Sequence, residues 1–200
     1  WVGHIQPLVN RGYVVVAYDQ RAHGASDGEL CTFGAREVPD LQAVIAQSGV
    51  AAPVVLIGMS LGAAVSLQLT AIDPSIAAVA AVSSYAQLKP VLHDHKPFFM
   101  SDETFELAVA SAEQTAGFSV AHAAPVEGIG HITVPLLLIH GSADPFTNVM
   151  HAYQLKKAAP PQARLVVLEG AEHVNIVTFD QTWAAIHAFL DALPTGNAVR

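Results

Sequence analysis

Val54-Val55-Leu56-Ile57-Gly58-Met59-Ser60-Leu61-Gly62 is the stretch on which the reading of this chain turns. A short apolar run at 53–57 predicts a buried strand. The Ala- and Leu-rich stretch 61–72, which stops before Asp73-Pro74, predicts a helix. Ser60 falls on the tight turn between them. Such a turn strains the serine backbone and exposes its hydroxyl at the C-terminal end of the strand. Gly58 and Gly62, two positions either side, are expected to let neighbouring backbone pass without a Cβ clash. The following helix turns its N-terminus, and with it the Leu61 N–H, toward a reacting oxygen. Ser60 is therefore the candidate nucleophile, and the Leu61 backbone N–H the candidate oxyanion donor.

Working outward, apolar runs at 13–18, 77–82, 135–139 and 164–168 alternate with helical patterns at 35–48, 149–159 and 178–193. In the first helical pattern Val38, Leu41, Val44 and Ile45 share one face. In the last, Phe179, Trp183, Ile186, Phe189 and Leu190 do. Strands alternating with helices predict an α/β fold, a mostly parallel sheet with helices on both faces. The composition agrees: 52% apolar and 13% charged residues suit strands buried on both faces. The 200 residues fit one domain, 1–200. A net charge of −8 without a Lys/Arg run excludes nucleic acid as a natural partner. Cys31 is the only cysteine, so neither an intrachain disulfide nor a cysteine zinc site is expected. No apolar run reaches the roughly 18 residues of a membrane span, and a cytoplasmic location is the expectation.

A lone serine is a poor nucleophile and needs a base and an orienting acid. On a parallel scaffold of this kind the partners follow in the order acid, then histidine. Asp144 lies in His140-Gly141-Ser142-Ala143-Asp144-Pro145, just after the run 135–139. His173 lies in Glu169-Gly170-Ala171-Glu172-His173, just after the run 164–168. Ser60, Asp144 and His173 are thus all expected at the C-terminal edge of one sheet, where open α/β sheets carry their sites. There are ten histidines, and His173 stands out by position alone. His140 is expected to make a structural hydrogen bond. Asp180 and Glu172 are rival acids, the first too late in the chain and the second adjoining the base. His93, Asp94 and His95 allow a metal reading, but adjacent polar loop residues are more simply solvated, so no metal is assigned.

The interval 86–132 breaks the rhythm with Pro90, Pro97 and Pro125. A helix is expected from about 101 to 115, with Ser101 as its N-cap. An insertion of this length between strands is either a small helical cap over the site or a set of peripheral helices.

Four segments together resemble the α/β-hydrolase superfamily, in its branch of esterases, monoacylglycerol-lipase-like enzymes and serine aminopeptidases. Residues 19–26 resemble the D-x-R-G-x-G-x-S turn, with Ala22 in place of the usual glycine. Residues 58–62 match the nucleophile elbow. Residues 135–144 resemble the P-x-L-x-I-H-G-x-x-D acid segment, and 170–173 the G-A-x-H base segment. The resemblance implies a serine hydrolase cleaving a carboxylic ester of small or medium acyl size through an acyl-enzyme on Ser60. Asp144 would be the acid, His173 the base, and no cofactor would be needed. A small-molecule ester or peptide is the implied substrate. An aminopeptidase would need cap acids for a substrate ammonium, with Asp94, Asp102, Glu103 and Glu106 as candidates. A perhydrolase or C–C hydrolase would use the same three residues. A non-catalytic relative that binds a small ligand is the alternative from another class.

The resemblance also implies that N-terminal strands are missing. Relatives carry strands, and a His-Gly oxyanion loop, before the run 13–18. One of those strands lies between the equivalents of 13–18 and 53–57, so a slot about 10 Å wide is expected there. Gly3-His4 has the wrong order to be that loop and is not assigned to it. The expectation is a piece of a longer protein rather than an autonomous enzyme.

Overall fold

The computed structural model describes residues 2–50 and 53–194; Trp1, the first residue of the opening, lies outside the described residues. Four strands, β1 (Val54–Met59), β2 (Ile76–Val82), β3 (Leu136–Gly141) and β4 (Arg164–Leu168), form one sheet in the order β1-β2-β3-β4. Every neighbouring pair is parallel. Their apolar runs follow from burial on both faces.

Each face buries its own apolar layer. On one side, α2 (Glu37–Gln47), α3 (Leu61–Thr70) and α7 (Met150–Ala158) contribute Val38, Leu41, Leu67, Leu69 and Leu155 against Leu56, Val79 and Leu138. On the other, α1 (Val2–Val9) and α8 (Asp180–Asp191) contribute Leu8, Trp183, Ile186 and Phe189 against Ala80, Leu137 and Ile139. The expected α/β architecture is the observed one. The sequence pattern did not predict α1, which carries Pro7 in its interior. Tertiary packing holds it: the His4 ring stacks on Trp183 of α8 at 3.7 Å and 7°.

The run 13–18 corrects an expectation. It is extended, but it joins no ladder among the described residues. Its side chains still alternate as a strand's would, since Tyr13 and Val15 pack on the α1/α8 layer and Tyr18 on the α2/α3 layer. Between it and β1 lies a cavity of about 150 Å3, lined by Val14, Val16 and Tyr18 on one side and Val54 and Leu56 on the other. That is where the slot was expected. An extended segment becomes a strand only by pairing, and none of the described strands pairs with this one. Val14 and Val16 are accordingly 67% and 49% exposed.

The β2–β3 connection holds α4 (Leu88–Asp94), α5 (Asp102–Ala116) and α6 (Pro125–Gly128). Ser101 caps α5 as expected, its hydroxyl accepting the Thr104 N–H at 3.1 Å. Gly117 ends the helix in the left-handed region, φ 66°. Tyr85, Leu88, Val91 and Val120 form a third buried cluster beneath these helices.

Candidate active site

β1 ends at Met59, and α3 begins at Leu61, so Ser60 has one residue in which to reverse the chain. It does so at φ 52°, ψ −118°, a conformation that costs a non-glycine residue of order 1–3 kcal/mol. Two anchors hold it there. The Ser60 N–H donates to the Val82 carbonyl at 2.8 Å, and its own carbonyl accepts the Ala64 N–H at 3.0 Å. The flanking glycines turn out to differ. A Cβ on Gly58 would lie 2.3 Å from the Gly62 carbonyl oxygen, so glycine is obligatory there. A Cβ on Gly62 would meet nothing closer than the Gln20 amide nitrogen at 3.8 Å, so the clash expected at Gly62 does not arise. Leu61 is the first residue of α3, where a backbone N–H has no acceptor within the helix.

β3 and β4 bring the other two candidates to the same edge. His173 Nε2 lies 2.9 Å from Ser60 Oγ, and His173 Nδ1 lies 2.8 Å from Asp144 Oδ2. The three side chains form one hydrogen-bonded line, drawn from positions 113 residues apart for serine and histidine and 29 for histidine and aspartate. Asp144 Oδ1 accepts two backbone N–H groups, Phe146 at 2.9 Å and Thr147 at 2.7 Å. The two loops touch: a Cβ on Gly141 would fall 2.1 Å from the Ala171 carbonyl oxygen. That requirement for glycine at the end of β3 was not evident in the sequence.

The Asp144 carboxylate is buried. Burial opposes its ionisation, but hydrogen bonds from His140, His173 and the Thr147 N–H outweigh it and hold the group well below the usual carboxylate range. An ionised Asp144 fixes the proton of His173 on Nδ1 and leaves Nε2 free to accept from Ser60.

His140 makes the structural bond expected of it, donating from Nε2 to the Thr147 carbonyl at 2.7 Å. The same nitrogen lies 3.4 Å from Asp144 Oδ2, so His140 braces both ends of the acid loop. Behind it, His151 accepts the Ala86 N–H on Nδ1 at 3.2 Å. Burial, then the neighbouring His140, depress the His151 pKa below its ordinary value. The partners of His140 and the bracing role of His151 were not visible in sequence, because both depend on which loops meet. The rival acids Glu172 and Asp180 are exposed.

In the β2–β3 connection, Asp102 is held by Lys96 and by His93 Nε2 at 3.0 Å, and Glu106 by Lys89 at 2.9 Å. Two of the four acids considered for a substrate ammonium are therefore already paired. His93 and His95 face different partners, His95 Nε2 donating to the Phe146 carbonyl at 2.8 Å.

Bonds between its own residues close the turn 19–26. Asp19 Oδ2 accepts the Ala25 N–H at 3.0 Å, and a Cβ on Gly24 would fall 2.2 Å from that oxygen. Arg21 grips Asp40 of α2 through two bonds of 2.5 and 2.7 Å. Ala22 adopts φ 58°, the left-handed conformation a glycine would take at no cost. At the end of β2, Ser83 is also left-handed, φ 50°, and its buried hydroxyl has no partner among the described residues.

A parallel sheet with a serine on a strained turn, facing a histidine and an aspartate along one edge, is the arrangement of an α/β hydrolase. The chain belongs to that family: the profile of the alpha/beta hydrolase family matches residues 1–189. Hydrolase chemistry follows from the membership. Among solved structures, the chain is similar to an esterase of Pyrococcus furiosus at 26% identity and TM-score 0.74, covering 94% of this chain and 74% of that one. It shares the fold of a monoacylglycerol lipase of Paleococcus ferrophilus (19% identity, TM-score 0.71, 94% and 88% covered). It also shares the fold of an esterase of Rhodococcus (20%, 0.68, 94% and 85%). A comparison with curated proteins finds no match. Among the described residues no helix is long and apolar enough to cross a membrane.

Proposed function

We propose that the protein is a serine hydrolase that cleaves a carboxylic ester through an acyl-enzyme on Ser60. The observation that carries this reading is the line Ser60 Oγ, His173 Nε2, His173 Nδ1, Asp144 Oδ2, with links of 2.9 and 2.8 Å. His173 takes the Ser60 proton as Oγ attacks the ester carbonyl. Asp144 holds the imidazole tautomer and stabilises the imidazolium. The Leu61 N–H donates to the oxyanion. As the intermediate collapses, His173 returns the proton to the departing alcohol. Water, deprotonated by His173, then attacks the acyl-enzyme, and His173 passes that proton to Ser60 Oγ as its bond to the carbonyl carbon breaks and the acid leaves. Every proton moves between these groups, the substrate and water.

The esterase similar at 26% identity supports an ester as the substrate class. The segment 86–132 is proposed as a cap, since His95 within it bonds to the loop that carries Asp144. Fluorophosphonate labelling of the full-length protein, followed by mass spectrometry, tests the reading. An adduct on Ser60 that disappears in His173→Ala is expected. No adduct in a well-folded protein would replace this reading with that of a ligand-binding relative without turnover.

A further inference from the structure

We infer that Phe146 determines which leaving group the site accepts, favouring esters of apolar alcohols. The inference rests on the proposed acyl transfer at Ser60.

Phe146 stands two positions after Asp144 and is 54% exposed. Its ring centroid lies 5.2 Å from that of His173, the planes tilted by 39°. On another side it stacks on His95 at 4.5 Å and 24°. His95, at the C-cap of α4, also donates to the Phe146 carbonyl at 2.8 Å. The Phe146 N–H is bound to Asp144 Oδ1 at 2.9 Å. Both backbone groups and the ring are therefore held. The ring is a fixed apolar surface joining the β2–β3 connection to the histidine, and it is left open to solvent. Two other apolar side chains near in sequence to its partners are exposed as well, Val174 beside His173 (74%) and Phe98 three residues past His95 (99%). A large apolar ring held in place beside the histidine yet left half open is suited to meeting a ligand.

What it meets follows from the direction of proton transfer. When the bond from the carbonyl carbon to the alcohol oxygen breaks, the His173 Nε2–H protonates that oxygen. The oxygen must then lie within about 3 Å of Nε2. Its substituent extends past the imidazole, where Phe146 supplies the apolar wall. In deacylation a water molecule takes the same position and has no substituent to touch the ring. Phe146 thus acts on the acylation step and not on the second. Asp144 and His173 serve both steps, so mere support of the acid loop would affect both alike.

The test uses the full-length protein and the acetates of methanol, 1-butanol and benzyl alcohol, which all give the same acetyl-enzyme. Values of kcat/KM are compared across the three, and deacylation is followed in single turnover. In Phe146→Ala the preference for benzyl over methyl acetate is expected to fall about ten-fold or more, with the deacylation rate constant unchanged. Phe146→Leu restores part of the preference, and His95→Ala, which frees the ring, lowers it less. Equal losses on all three acetates, or a matching fall in deacylation, would overturn the inference and make Phe146 a support of the Asp144 loop. If Ser60 takes fluorophosphonate but none of the acetates acylates it, the leaving-group role fails while the activated serine stands. If Ser60 takes no fluorophosphonate, the proposed function fails as well.

Discussion

Replacing Ala22 by glycine is expected to stabilise the protein. Ala22 sits at φ 58° in the turn 19–26, at the position where the D-x-R-G pattern has glycine. A left-handed conformation costs an L-residue roughly 1–2 kcal/mol. The Ala22 side chain is exposed, so removing its methyl loses no buried contact. The Ala22 N–H, which donates to the Asp27 carbonyl at 3.2 Å, is retained in glycine. Against the relief stands the greater freedom of glycine in the unfolded chain, about 0.4–1 kcal/mol. The net gain is about 0.5–1 kcal/mol, which for a chain of 200 residues raises Tm by roughly 1–4 °C. Thermal and urea unfolding of Ala22→Gly beside the parent, with an unchanged m-value, measure it. Ala22→Val is the control and should lose stability, because a β-branched residue is still less tolerant of positive φ. A lower Tm for Ala22→Gly would mean that the turn is not strained at this residue, and the reasoning would fail.

Other perturbations separate the parts of the site. Gly58→Ala puts a methyl 2.3 Å from the Gly62 carbonyl oxygen and should abolish fluorophosphonate labelling, whereas Gly62→Ala should leave it intact; equal effects would contradict the elbow geometry. Asp144→Asn should lower the acylation rate about 10⁴-fold by reversing the His173 tautomer, read by burst kinetics; a loss below ten-fold would remove Asp144 from its role. His151 has a pKa below 6.5 in the folded protein, so the unfolded chain binds its proton first as pH falls. The stability due to neutral His151 is whole above pH 6.5 and is lost as pH drops toward the folded value. The urea midpoint should therefore fall between pH 7.5 and 5.5, and His151→Gln, which keeps an acceptor for the Ala86 N–H, should flatten part of that fall. An unchanged pH slope in the variant would count against it.

The strands β1 to β4 were legible because parallel strands buried on both faces read as unbroken Val, Ile and Leu runs; 164–168 matches β4 residue for residue. The run 13–18 has the same signature, yet it forms no ladder. A strand's composition reports its burial, while its pairing depends on a neighbour that local pattern cannot supply. Helix α1 escaped for the opposite reason: its register is set by His4 against Trp183 rather than by a local signal. Ser60, Asp144 and His173 could be picked out because each follows a strand at a common edge. The hydrogen-bond partners around Asp144 could not, since His140, Phe146 and Thr147 acquire their roles only when the loop folds over the carboxylate. Nor did the glycine pattern distinguish Gly58 from Gly62.

The gap between 13–18 and β1 bears on how the protein behaves in company. Among the described residues β1 is an edge strand whose far side faces an apolar groove instead of a neighbour. Open edges of this kind are templates for addition of an extended segment from another chain. Val14 and Val16 line the opposite wall without a charged gatekeeper among them. A polypeptide limited to these 200 residues leaves that edge open, so its concentration-dependent light scattering should fall when a lysine replaces Val16. The strand that leads into the serine would then also be the strand through which that polypeptide is lost from solution.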